Sequence, residues 1–88
     1  MKTDILGDTV DVLAVFEAGA DHPKPLRFKL FENGIKKAVD VSQIVDINHI
    51  GAGGMSRIEY TCRSASTRGM IEYRLLYFYN RCQWELVR

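Results

Sequence analysis

The sequence predicts an all-β domain, a small antiparallel barrel or strongly curled sheet of about six or seven strands, and three observations carry that expectation. Runs rich in Val, Ile, Tyr and Phe are punctuated by Gly and Asn. No window long enough for a helix sustains apolar residues at i, i+3 and i+4. When the runs are folded into hairpins about their turn residues, apolar side chains meet apolar side chains on one face. An SH3-like barrel is the preferred architecture, with an OB-like barrel or an open curled sheet as alternatives.

The first strand, about Val10 to Glu17, sets Val10, Val12, Ala14 and Phe16 on one face and Leu13 and Val15 on the other, so both faces need cover. Gly19 to Pro25 reads as loop, because a glycine and two prolines interrupt any strand ladder. Asn33-Gly34 accepts the positive φ angles of a type I′ turn. A two-residue loop there sets Glu32 opposite Ile35, Leu30 opposite Lys37, Phe28 opposite Val39 and Leu26 opposite Val41. Ile44 to Ile50 follows, then a tight Gly51 to Gly54 turn, then Met55 to Arg63, a register that places Ile47 opposite Ile58 and Val45 opposite Tyr60.

A loop from Ser64 to Gly69 leads into Met70 to Tyr79 and pairs Cys62 with Ile71, Tyr60 with Tyr73, Ile58 with Leu75 and Glu59 with Arg74. The last hairpin is expected to turn at Asn80-Arg81, with Asn80 in the left-handed region that asparagine tolerates. Tyr77 then meets Trp84, and Leu75 meets Leu86. Trp84 is expected in the core, and pairing of the first strand with the last would close the barrel and hide two edges.

With 88 residues, the chain has room for one domain, spanning 1–88 with residues 1–8 expected to be flexible. A domain of this size buries only roughly 60% of its unfolded surface, which leaves little room for a deep enzyme cleft. The net charge is +1, but its distribution is uneven. Residues 1–54 carry six basic and eight acidic side chains; residues 55–88 carry six arginines and three glutamates. Asp4, Asp8 and Asp11 interrupt the N-terminal apolar residues, so neither an export signal nor a membrane span is expected, and the expected location is the cytoplasm. Cys62 and Cys82 are then expected to be reduced.

Several motifs invite a chemical reading. Cys62 to Arg68 matches the Cys-x5-Arg spacing of phosphatase loops, but that chemistry needs a strand-to-helix turn whose amides lower the thiol pKa. Here Gly69 is followed by a strand, so a phosphate-handling enzyme using Cys62 and Arg68 is an alternative only. The glycines at 51–54 lack the G-x-G-x-x-G spacing and read as a turn. His22 and His49 have no metal-ligand partner at short spacing, and a site combining His49 with Cys62 and Cys82 would require them to converge; no metal or cofactor is expected. The registers align Asp46, Glu59 and Arg74 in one row and Asn48, Arg57 and Leu76 in the next, which reads as a surface ion-pair ladder before acid–base chemistry.

Leu13, Val15, Leu76, Phe78 and Val87 fall on the outward face, an apolar surface that a small monomer should not expose. Arg57, Arg63, Arg68, Arg74, Arg81 and Arg88 alternate with aromatic residues, as on proteins that bind single-stranded nucleic acid, although most of these aromatics point inward by the same registers.

The succession Val12-Leu13-Ala14-Val15-Phe16, Pro25-Leu26-Arg27-Phe28, a strand around Val45-Asp46, and Arg81-Cys82-Gln83-Trp84-Glu85-Leu86 resembles small bacterial β-domain proteins with a PLRF-type strand and a terminal Trp-x-Leu strand. The resemblance spans most of the chain and implies a bacterial origin and a small β fold; it supplies no catalytic residues. The expected function is a non-catalytic module that binds a protein partner or itself through Leu76, Phe78, Val87 and the neighbouring arginines. The alternative is single-stranded nucleic-acid binding through Arg57, Arg63, Arg68 and Arg74.

Overall fold

The computed structural model describes residues 7–51 and 56–88, and these form seven strands joined by turns and loops. They are β1 (Asp8–Val15), β2 (Lys24–Glu32), β3 (Ile35–Asp40), β4 (Gln43–Ile50), β5 (Arg57–Ser66), β6 (Gly69–Phe78) and β7 (Gln83–Val87). All pair antiparallel in one sheet of order β3-β2-β1-β7-β6-β5-β4. Two meanders, β1–β3 and β4–β7, are thus joined by pairing of the first strand with the last, as expected from the need to hide edges. The sheet curls into a half-barrel, and among the described residues no helix is long and apolar enough to cross a membrane.

Alternation explains the core. Phe28, Ile58, Tyr60, Cys62, Tyr73, Leu75, Tyr77, Trp84 and Leu86 line the concave side, and Val10, Val12, Ala14, Ile44 and Ile47 pack around them. Trp84 lies centrally, its ring 4.8 Å from that of Tyr77 and 5.5 Å from that of Tyr60. Gly7 lies against β7, where an added Cβ would come within 3.1 Å of the Leu86 carbonyl oxygen. This close approach lets β1 settle onto β7 with Asp8 opposite Leu86. Asp8 thus belongs to β1 and Gly7 lies against β7; residues 1–6, the rest of the segment expected to be flexible, lie outside the described residues.

The hairpins at both ends of the prediction form in the expected register. Asn33 and Gly34 both have positive φ, 53° and 76°, and Phe28 faces Val39. Tyr77 faces Trp84 and Leu75 faces Leu86. The left-handed residue of the last turn is Cys82, with φ 50°, and not Asn80. There the ladder ends at the Phe78–Gln83 pair, and Arg81 N–H donates to the Phe78 carbonyl, so the turn closes before Cys82 must reverse the chain.

The middle registers differ from expectation by two residues. The β5–β6 turn is only Thr67-Arg68, so Ser66 faces Gly69, Cys62 faces Tyr73, Tyr60 faces Leu75 and Ile58 faces Tyr77. The shorter turn adds backbone pairs that a loop from Ser64 to Gly69 would forgo. In the β4–β5 pair, Ile47 faces Tyr60 and His49 faces Ile58. The expected start of the fifth strand at Met55, with Ala52, Gly53 and Gly54 of the expected turn, lies outside the described residues. A slip of two preserves which face each side chain occupies, so most of the predicted core survives the change, but Ile71, expected in the core opposite Cys62, now faces Ser64 and is 47% exposed.

Two bulges alter individual faces. At the irregularity between Leu13 and Ala14, Leu13 pairs with Arg27 and Ala14 with Pro25. Pro25 turns inward and is fully buried, whereas Leu26, expected inward, is exposed. A second bulge between Ile44 and Asp46 turns Val45 outward and lets Ile44 and Ile47 both face the core.

The edges β3 and β4 are bridged by the chain that links them. Val41 N–H donates to the Leu26 carbonyl and Ser42 N–H to the Arg63 carbonyl, each at 2.9 Å. Ser64 Oγ donates to the Asp40 carbonyl at 2.7 Å. Because a serine hydroxyl has one proton, Tyr73 OH must be the donor in its own bond to Ser64 Oγ.

Candidate functional site

The outward face of β5, β6 and β7 was the expected binding surface, but it is not an open apolar patch. Leu76 is 3% exposed and Phe78 7%. Leu76 sits in the sheet between Glu59 and Glu85, and the Arg81 guanidinium lies 4.4 Å above the Phe78 ring. Long polar side chains can cover apolar surface in this way while keeping their charge in water. Val87 is half-buried opposite Arg74. Alternation places these residues outward, but cross-strand neighbours decide whether solvent reaches them.

The arginines on this face are largely matched by carboxylates. Arg57 and Arg74 both approach Glu59, at 2.8 and 3.6 Å, and Arg63 approaches Glu72 at 3.1 Å. Arg81 lies 3.8 Å from Glu85, and Arg88 lies 3.5 Å from Glu32. Arg68 is in the exposed β5–β6 turn. The expected Asp46–Glu59–Arg74 row does not form: Asp46 and Arg74 both flank Thr61, while Glu59 lies between Asn48 and Leu76. The Asn48–Arg57–Leu76 row is lost for the same two-residue shift. Asp46 and Glu59 are therefore not directly opposed across β4 and β5.

Cys62 lies within β5, fully buried, and its thiol is directed to the Tyr60 carbonyl at 3.7 Å. Burial pushes its pKa from 9.0 up to about 12, the opposite of what a thiolate nucleophile needs. Arg68 lies beyond the end of that strand, in a strand-to-strand turn. Burial also raises the Tyr60, Tyr73 and Tyr77 phenols, with the bond to Ser64 opposing the shift at Tyr73. Both cysteines are free thiols; Cys82 is exposed.

Aliphatic side chains stand open elsewhere. Leu13 is 62% exposed, and Val15 and Leu26 are about 40% exposed. Leu13 and Val15 share the outer face of β1, and the β2 bulge turns Leu26 out beside them. Asp11 lies on this face toward one end; Lys24, opposite Val15, marks the other.

A different set of residues meets at one mouth of the half-barrel. His22, in the loop after β1, and His49, near the end of β4, have ring centroids 5.7 Å apart at 79°. His22 Nδ1–H donates to Asp21 Oδ1 at 2.6 Å, which holds the Asp21 carboxyl below its usual range. The loop is anchored by Tyr60, whose buried OH donates to the Pro23 carbonyl. A cleft of about 390 Å³ opens over these groups, walled by Phe16, Ile58, Tyr77 and Tyr79. Phe16, expected at the end of the first strand, lies past β1 and is exposed at this mouth. No short spacing in the sequence marks the histidine pair, since curl of the sheet brings the end of β4 to the loop.

The chain matches no protein-family model, no curated protein and no solved structure with which it was compared.

Proposed function

We propose that this domain is a non-catalytic binding module that associates with a second copy of itself through the outer face of β1 and β2. The observation that carries this reading is the exposure of Leu13, Val15 and Leu26 side by side, on a domain that covers Leu76 and Phe78. Asp11, which also approaches Lys36 of its own chain at 3.5 Å, and Lys24 lie toward opposite ends of the patch, so a two-fold axis through Leu13 and across the strand sets each Asp11 toward the Lys24 of the other copy. Three aliphatic side chains are few for a permanent dimer, and association is expected to be weak and concentration-dependent.

The pairing of arginines with glutamates supports this reading over nucleic-acid binding, because cations already matched by carboxylates project less field toward a polyanion. The buried Cys62 thiol likewise gives no support to phosphate-ester chemistry. Sedimentation velocity over a micromolar-to-millimolar range tests the proposal. A monomer–dimer equilibrium is expected, and Leu13→Glu should shift it to monomer with an unchanged circular dichroism spectrum. A wild-type chain that stays monomeric throughout would end this reading.

A further inference from the structure

We infer that Asp21, His22 and His49 form a binding site for a divalent transition-metal ion of the zinc class, at the mouth lined by Tyr77 and Tyr79. One ligand atom from each of the three residues lies within 4.8 Å of the others. Ligands bound tetrahedrally at about 2.1 Å from a common zinc ion are separated by about 3.4 Å, so modest side-chain rotations bring this set to bonding geometry. Asp21 and His49 are exposed and His22 is half-buried, so the side chains can rotate on their backbone anchors.

Those anchors come from separate elements. His49 is held by the β4–β5 ladder, opposite buried Ile58. The His22 loop is held by the Tyr60-to-Pro23 bond and by the buried rings of Pro23 and Pro25. Two imidazoles and one carboxylate are a borderline donor set, which favours zinc, nickel, cobalt or copper over magnesium and calcium, whose preferred ligands are oxygens. Three protein ligands leave a fourth position facing the cleft, where water completes the coordination. Asp21 and His22 lie in the loop between Val15 and Leu26, but the site uses none of the patch residues, and zinc binding is read separately from self-association.

The chain has only two histidines, which makes the experiment direct. Chelator-treated full-length protein is titrated with zinc chloride by calorimetry, with magnesium chloride as the comparison, while histidine ring resonances are followed by NMR. One zinc ion per chain should bind, both histidine ring signals should move, and magnesium should give neither effect. His49→Gln and His22→Gln should each weaken zinc binding about tenfold or more, whereas Cys82→Ser should leave it unchanged. Absence of saturable zinc binding, movement of only one histidine signal, or loss of binding in Cys82→Ser would each overturn the site. The wild-type NMR result decides the matter even if a histidine variant fails to fold.

Discussion

Replacing Ser64 by alanine removes the hydroxyl that ties β5 to the end of the β3 edge. Ser64 is fully buried; its Oγ donates to the Asp40 carbonyl and accepts from Tyr73 OH. Alanine leaves the Tyr73 hydroxyl in the core without its acceptor, a desolvation cost of about 1–3 kcal/mol, and the expected loss is about 2 kcal/mol. Tyr73→Phe keeps the Ser64-to-Asp40 bond and should cost about 1 kcal/mol. The double variant leaves no orphaned phenol, so its cost should fall below the sum of the two by about 1 kcal/mol. Urea unfolding followed by fluorescence of the single tryptophan, Trp84, measures all three. A loss of about 2 kcal/mol should also lower Tm by roughly 8–16 °C in a domain of this size. Amide exchange at Val41 and Ser42 should quicken in Ser64→Ala, because both bond across the same closure. The reasoning is refuted if Ser64→Ala stays within about 0.5 kcal/mol of wild type, or if the two changes add without coupling.

Phe78→Glu should unfold the domain or cost about 3 kcal/mol or more, since it places a carboxylate where the ring is only 7% exposed; near-wild-type urea stability would show that this face is open after all. Cys82 should be alkylated readily in the folded protein, and Cys62 should react only on unfolding, as a mass-resolved iodoacetamide time course can show. The Cys62 thiol binds its proton more tightly when folded than when unfolded, so its contribution is present below about pH 9 and is lost as pH rises toward about 12. Urea stability should therefore fall across that window, and less steeply in Cys62→Ser; identical slopes for the two proteins would contradict the assignment.

The core was legible in the sequence to an unusual depth because alternation depends only on parity. Tyr60, Cys62, Tyr73, Leu75, Tyr77, Trp84 and Leu86 remain inward under any slip of two residues, so the wrong register for β4–β5–β6 still yielded the right inner face. Asn33-Gly34 was legible for a different reason: its positive φ values are local, and a two-residue turn leaves the β2–β3 hairpin a single register. The candidate sites were much less legible. Leu76 and Phe78 point outward, as alternation requires, but their burial depends on neighbours supplied by other strands. The outward turn of Leu26 depends on a bulge beside Pro25; the proline marks an interrupted ladder, but which neighbour turns outward is set by the pairing with β1.

What the amino-acid order determined alone is the β class, the inner face and the tight turn of the second hairpin, each a consequence of side-chain period or local backbone preference. Tertiary structure alone decided the length of the β5–β6 turn, which carboxylate meets which arginine, and the meeting of His22 with His49. Those outcomes depend on how far the sheet curls and where it bulges, and these are properties of the packed strands together.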